Sequence, residues 1–325
     1  MSPRRHANSG GKTRPRSKKQ ARVNVIPQSA VIGLQKASQA VEYLTAVGDQ
    51  RAPVAKRALR NASRSTTFAN FIRQFLPPRQ LPIYGITEHQ YGYFGSDPDH
   101  PENILEIKDA GSIKPDLRLR HHRLRITLDR LRVAEYPGRG QHMVLVEYSA
   151  QHLIPSGSVQ DLRFSQKYKV EEGTGAGVRG HPIFVGLAAG AEGIALAGRT
   201  INVENKDDKS ILNFLDQPTF RRGLEMINSV NPALPVVTSM VLSISEMLLK
   251  RHENIAVQGF ELGLDFSDVP SRAHLREGSY IIVQAPDEAW DWSEWKFTVS
   301  NGRLTNRVTR RPIPYNYLVI GVSRM

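Results

Sequence analysis

Three glycines in the stretch EEGTGAGVRGHPIF have the spacing of a phosphate-binding loop. Gly175, Gly177 and Gly180 match the pattern G-x-G-x-x-G, which in dinucleotide-binding folds follows a strand and opens a helix whose N-terminus holds the pyrophosphate. In this chain His181-Pro182 and the strand-like IFVGL come next. Because the helix is missing, the glycines indicate a flexible loop between two strands.

Carboxylates suggest two other kinds of site. The pairs Glu171-Glu172 and Asp207-Asp208 stand in polar, loop-like sequence, where the raised pKa of a general acid is not expected. Further acidic residues fall in two segments: Asp97, Asp99, His100 and Glu102, then Asp265 and Asp268. Such loops could supply the oxygen ligands of calcium, as in C2-type sandwiches, which this organisation loosely resembles. Asp beside Pro also forms ordinary turns, and we predict no metal site.

Signatures of catalysis are scarce. The chain has no cysteine, no G-x-S-x-G and no H-E-x-x-H, which removes thiolate chemistry, disulfides and the commonest hydrolase and zinc-protease motifs. The adjacent pair His121-His122 would face opposite sides of a strand and could not bind one ion together. We expect a non-enzymatic protein without a cofactor, and leave open an active site assembled from distant residues.

All three tryptophans, Trp290, Trp292 and Trp295, stand within AWDWSEW. In a strand the first two would share one face and the third would take the other. The cluster could be a stacking platform for bases or an interface anchor. The favoured interpretation is an aromatic plug that closes one end of a core, since buried aromatics dominate core energetics.

Charge is segregated along the chain. Residues 1–80 contain 16 Lys and Arg but two acids, whereas residues 81–325 contain 28 Lys and Arg and 29 acids. A near-neutral body with a basic appendage is typical of a folded domain with an arm for a polyanion. We predict phosphate contacts at these positions: Arg4, Arg5, Lys12, Arg14, Arg16, Lys18, Lys19, Arg22, Lys56, Arg57, Arg60 and Arg64.

The elements that must position these residues fall into three ranges. Residues 1–27 are basic and almost without apolar side chains, so we predict a disordered arm. Residues 28–80 show helical spacing, with Lys56 to Arg64 on one side of a helix and Phe68, Phe71, Ile72 and Phe75 on an apolar face. That face is expected to dock onto the body rather than to bind a membrane.

Residues 81–325 show the period of two that is typical of strands. HHRLRITLDRLRV, the turn YPGRG and HMVLVEYSA predict a hairpin over residues 122–149, and later segments predict further strands of an antiparallel sandwich. Apolar stripes at Phe220, Leu224 and Ile227 and at Val237 to Leu248, separated by Asn231-Pro232, predict an inserted helical hairpin at about 207–253.

We therefore predict a mainly β protein with helices, an antiparallel β-sandwich carrying a helical hairpin and preceded by a short helical region and a disordered basic arm. Its expected role is to bind a polyanion, RNA above all, and protein partners, including a possible second copy, in the cytoplasm or nucleus. The layout also resembles the coat proteins of small icosahedral RNA viruses, whose arms gather RNA, and this alternative implies a virion location. A peripheral membrane module is a further alternative. No transmembrane segment is predicted, since no apolar run nears the roughly 20 residues that a span requires.

Overall fold

The computed structural model describes residues 30–62, 66–95, 104–153, 159–205, 207–208, 212–225, 233–267, 273–287 and 290–325. In these ranges strand predominates over helix and the strands form a β-sandwich with helices, which confirms the predicted fold class. The predicted disordered arm, residues 1–27, lies outside them.

The helices and strands have the following bounds. The α-helices of the described ranges are α1 (Ala37–Ala46), α2 (Ala52–Ala58), α3 (Phe68–Phe75), α4 (Pro218–Arg221) and α5 (Ala233–Leu249). The strands are β1 (His89–Phe94), β2 (Ile104–Glu106), β3 (Lys108–Asp109), β4 (Arg123–Arg132), β5 (Gln141–Leu153), β6 (Val159–Glu171), β7 (His181–Ala188), β8 (Gly193–Val203), β9 (Leu224–Glu225), β10 (Asn254–Asp265), β11 (Ala273–His274), β12 (Gly278–Gln284), β13 (Trp295–Thr298), β14 (Arg303–Asn306) and β15 (Tyr317–Arg324).

Two sheets make up the sandwich. The larger has the strand order β3-β1-β12-β15-β4-β7-β9, and the smaller has the order β11-β10-β8-β5-β6. Neighbouring strands are antiparallel, except that the two-residue strands β9 and β11 run parallel to β7 and β10. Three of the four sheet edges, β3, β9 and β11, are two-residue strands that leave few unpaired backbone groups for another chain to pair with, whereas the fourth edge, β6, has 13 residues.

Strand β4 shows how the sequence pattern builds the core. Leu124, Ile126 and Leu128 are buried, while Arg123 and Arg125 point outward. Since alternate residues of a strand face opposite sides, this pattern places β4 with one face on the core, as predicted. Full burial of such a side chain contributes about 1.5–3 kcal/mol to stability.

The predicted hairpin over residues 122–149 is wrong. Strand β4 pairs with β15 and β7 in the larger sheet, whereas β5 pairs with β6 and β8 in the smaller one. Residues 133–140, which include YPGRG, therefore connect the two sheets and do not turn within one of them. A turn signal shows that the chain reverses but does not specify the sheet that the next strand joins.

Helix α3 docks on the body through its apolar face. The Thr67 side chain accepts a hydrogen bond from the Asn70 backbone N–H and so caps the helix. Phe68, Phe71 and Ile72 are fully or almost fully buried. This confirms the predicted docking, and it removes the surface on which the membrane alternative depended.

The insertion differs in part from the expected pair of helices. The second helix is present as α5, which packs along β6 and reaches the start of β10 with Val237, Val241 and Leu248 buried. The first is replaced by the one-turn helix α4, and Leu224 lies in strand β9 beside Phe184. Gly223, at φ +79°, redirects the chain between these elements.

A third layer covers part of the larger sheet. Strands β14, β13 and β2 form a three-stranded sheet. It shares a second core with β12 and β15, in which Ile281, Val283 and Val319 pack with Trp292 and Leu304. The tryptophan segment therefore belongs to a small core of its own.

Candidate nucleic-acid interface

The predicted phosphate contacts divide between the described and the remaining residues. Lys56, Arg57 and Arg60 are described and exposed. The others lie outside the described ranges: Arg4, Arg5, Lys12, Arg14, Arg16, Lys18, Lys19, Arg22 and Arg64. The structure therefore describes the candidate interface only where it involves the folded body.

Helix α2 presents the basic face. Pro53 stands in its first turn, and Ala52 and Ala55 are buried toward α1, which leaves Lys56 and Arg57 exposed. Arg60 follows in a 3-10 turn and is also exposed. Within the described part of the chain, none of these three cations forms an ion pair. They are thus available to neutralise phosphates.

Other cations of the helical region are already engaged. Arg51 Nε lies 2.6 Å from Glu135 Oε1, and Arg73 Nη2 lies 2.5 Å from Glu88 Oε1. The helical region therefore contains two kinds of basic residue, those that hold the structure together and those on the α2 face.

A second basic surface lies beside α1, in a cleft of about 640 Å3 between α1 and the end of α5. Its rim carries the exposed cations Lys36, Lys250 and Arg251 together with His252, against the single acid Glu42. Cations beyond the last turn of a helix also interact favourably with the helix dipole. Asp208 pairs with Arg251, so the three cations face two acids and the cleft carries a small net positive charge, which the dipole, about half an elementary charge, does not cancel.

Asp208 organises one wall of this cleft. Its side chain is fully buried, accepts a hydrogen bond from Asn254 Nδ2 at 2.6 Å, and lies 3.5 Å from Arg251 Nε. The expectation that Asp207-Asp208 is only polar loop sequence is therefore wrong for Asp208. Asn254 Nδ2 also donates to the Leu248 carbonyl, which joins α5 to β10.

The described chain begins beside the same cleft. The described chain starts at Ala30, Val31 forms a bridge with Ala256 of β10, and Leu34 lines the cleft. Arg22 precedes Ala30 by eight residues, a span of at most about 28 Å when fully extended. A polyanion that contacts the cleft is thus within reach of the last cations of the arm.

The tryptophans pack together in the second core described above, whereas the favoured interpretation placed an aromatic plug at one end of the main core. Trp292 is 5% exposed and lies in a 3-10 turn, and Trp295 begins β13, so the expected single strand is not formed. The Trp290 ring stacks on Trp295 at 5.6 Å and meets Trp292 edge-on at 5.3 Å. Tyr315 packs against it as well. Since the ring faces pack on one another, a base-stacking platform is not supported.

The glycine loop, the Glu171-Glu172 pair and the histidine pair all lie in connecting segments or at strand ends. Gly175, Gly177 and Gly180 lie in the loop between β6 and β7, as expected. For Glu172 the expectation that its pKa is not raised is wrong. Burial and the negative charge of Glu135 raise the pKa of the Glu172 carboxyl. His121 and His122 precede β4 and are exposed.

The acidic loops show no metal centre where they are described. Asp265 accepts hydrogen bonds from Ser267 and lies 3.6 Å from His274. Asp97, Asp99, His100, Glu102 and Asp268 lie outside the described ranges. In the part of the chain that the structure describes, no three His, Asp or Glu side chains are grouped to hold an ion.

Sequence reasoning missed the cleft. Lys36 is a single basic residue in an uncharged polar segment, and basic residues such as Lys250 to His252 are common at the C-terminus of a helix. Neither segment therefore indicates a partner surface by itself. Their proximity arises because α1 and the end of α5 line the same cleft.

Comparison of the chain with protein-family models, with curated proteins and with solved structures found no match. No helix in the described ranges is long and apolar enough to cross a bilayer. The functional conclusion therefore depends on charge and geometry.

Proposed function

We propose that this protein binds single-stranded nucleic acid, RNA in particular, through its basic arm together with the α2 face and the cleft beside α1. The observation that carries the proposal is the position of Ala30, which follows the basic arm in the sequence, next to a cleft whose rim lysines Lys36 and Lys250 form no ion pair among the described residues. Such contacts bind the phosphate backbone without reading sequence. The neutral remainder of the body is free to contact other proteins.

Salt dependence provides the test. Binding of a fluorescent oligouridine to the full chain is measured over a range of salt concentrations and compared with two variants. In the first, the eight basic residues between Arg4 and Arg22 are changed to Gln; in the second, Lys56, Arg57 and Arg60 are changed to Gln. Each lost contact should reduce the slope of log K against log salt by about 0.7. The arm variant is expected to lose most of the affinity.

A variant with a scrambled arm of unchanged composition is the matched control. It should bind as the parent does, because backbone contacts depend on charge and not on order. Equal affinity of the parent and the arm variant would refute the proposal.

A coat-protein role is a second candidate, because a β-sandwich with a charge-segregated arm has the layout of such shells. Light scattering on a sizing column separates the two functions. Megadalton particles that contain RNA would favour the coat protein, and small complexes of the chain with RNA would favour a binding protein.

A further inference from the structure

A cluster of arginines lies on the outer face of the larger sheet, apart from the cleft. Arg130 of β4 is half-buried, and its Nε is buried without a hydrogen-bond partner in the described chain. Its guanidinium fits between two glycines: a Cβ on Gly302 would lie 2.6 Å from Arg130 Nη1, and a Cβ on Gly175 would lie 3.2 Å from Arg130 Nε. The glycines therefore leave the space that Arg130 occupies.

Two more guanidinium groups are close to it. Arg132 donates one hydrogen bond from Nη1 to the Gly173 carbonyl at 2.7 Å, but its Nε is buried without a partner in the described chain. Burial lowers the pKa of Arg132; the nearby Tyr317 opposes this shift, and the positive charges of Arg130 and Arg303 add to it. Arg303 is exposed at the start of β14. Three cations thus face one region.

No carboxylate of the described residues forms an ion pair with any of the three. Asp129, next to Arg130 at a bulge in β4, accepts hydrogen bonds from Thr127 Oγ1 at 2.7 Å and Ser279 Oγ at 3.3 Å, and burial raises the pKa of Asp129. Glu172 lies near Glu135, on the side of the loop toward the helical region. Like charges held together at partial burial are costly unless an anion balances them.

Hydrogen bonds hold the surrounding loops in place beside the three arginines. The backbone of residues 173–176 follows the end of β4, where Ala176 N–H donates to the Leu131 carbonyl at 2.9 Å. Arg179 Nη2 donates to the Ser300 carbonyl at 3.4 Å, which links this glycine loop to the turn between β13 and β14. The G-x-G-x-x-G segment therefore borders arginine side chains instead of a helix N-terminus.

We propose that Arg130, Arg132 and Arg303 form a binding site for a phosphate oxyanion. Guanidinium groups present several N–H donors in a plane and bind phosphate oxygens bidentately. The site does not depend on the arm or the cleft. Its phosphate is either a free ion or one group of a nucleic-acid backbone, since the chemistry of recognition is the same.

Thermal unfolding of the full chain tests the site with inorganic phosphate as the probe, against chloride at equal ionic strength. Phosphate should raise the Tm of the parent. Arg303→Gln and Arg132→Gln should each weaken phosphate binding by at least about tenfold, the loss expected for a charge-assisted hydrogen bond. Without phosphate, Arg303→Gln should be no less stable than the parent, because Arg303 is exposed and its removal relieves repulsion, whereas Arg132→Gln also loses the hydrogen bond to Gly173. A structural arginine would instead lower the Tm in both buffers.

Arg125→Gln is the matched control, because Arg125 is an exposed arginine of the same strand, five residues and about 17 Å from Arg130. It should bind phosphate as the parent does. An equal response of the parent to phosphate and chloride, or an equal loss in Arg125→Gln, would overturn the proposal.

Oligouridine identifies the source of the phosphate. Weaker oligouridine binding by Arg303→Gln, together with competition by inorganic phosphate, would show that the site holds a backbone phosphate. Unchanged oligouridine binding with lost phosphate binding would show a site for the free ion. The variant with its arm charges removed should keep the phosphate response, so failure of the arm proposal and failure of this one are distinguishable.

Discussion

Arg51 Nε donates to Glu135 Oε1 over 2.6 Å, and this ion pair joins the helical region to the connection between the two sheets. The other carboxylate oxygen accepts from the Ile83 backbone N–H at 2.9 Å. Asp49 adds a parallel link, since its Oδ2 accepts from the Gly138 backbone N–H at 2.9 Å. The helices are thus fixed to the body through residues of the connecting segment 133–140.

Glu135→Ala should therefore destabilise the protein by about 1–3 kcal/mol, because it leaves the Arg51 guanidinium and the Ile83 N–H without their acceptor. Urea unfolding followed by circular dichroism measures the change. Glu88→Ala breaks the more exposed pair with Arg73 and should cost less than about 1 kcal/mol. Equal losses in the two variants would contradict the assigned role of Glu135.

Glu147 is a buried acid between two arginines. Its Oε1 accepts from Arg163 Nη1 and its Oε2 from Arg199 Nε, each at 2.7 Å, and the Glu147 side chain has no solvent exposure. Glu147→Ala leaves two arginines without their buried counter-ion and should cost about 3–5 kcal/mol. Urea unfolding tests this. Glu246→Ala, on the exposed side of α5, should stay within about 0.5 kcal/mol of the parent.

His89 should make stability depend on pH. Burial lowers the pKa of His89 to about 4, whereas the unfolded chain has a histidine pKa of about 6.5. Between these values the unfolded state binds more protons, so stability is complete above pH 6.5 and falls as the pH decreases toward 4. His89→Gln should reduce that fall by about 3 kcal/mol. Urea midpoints at a series of pH values measure it, and an unchanged slope would show that His89 is protonated in the folded state.

The tryptophan plug should be required for the second core. Trp292→Ala removes a nearly buried side chain and should cost about 3–5 kcal/mol, whereas Trp295→Ala, at a partly exposed position, should cost less. All three tryptophans lie in this core, so their fluorescence reports its unfolding alone. In the parent, fluorescence and circular dichroism should give one coincident transition. Strong quenching by oligouridine would instead show that the rings stack on bases.

Much of this protein follows from local patterns. The alternation in β4, the apolar stripe of α3 and the second apolar stripe of the insertion each predicted an observed element, because one buried face imposes its own period on the sequence. The segregation of charge into residues 1–80 is a property of composition alone. The missing helix after Gly180 was also sufficient to predict a loop there.

Strand β6 and the pairing of β4 were not predictable in this way. The sequence VQDLRFSQKYKVE of β6 alternates, but its polar members include Arg163, which pairs with Glu147 of the neighbouring strand. A polar residue that is buried with a partner has the same local signature as one in solvent. The sheet that β5 joins depends on contacts far along the chain.

Only the tertiary structure brings together the residues of the proposed arginine site and of the cleft. Arg130 and Arg132 are distant in sequence from Gly173 to Gly175 and from Gly302, and Lys36 is distant from Lys250. Composition determined that the chain carries an excess of positive charge and the segment in which most of it lies. Packing decided which cations have an acidic partner among the described residues and which do not, because pairing depends on distances of a few ångströms between side chains that only the folded chain brings together.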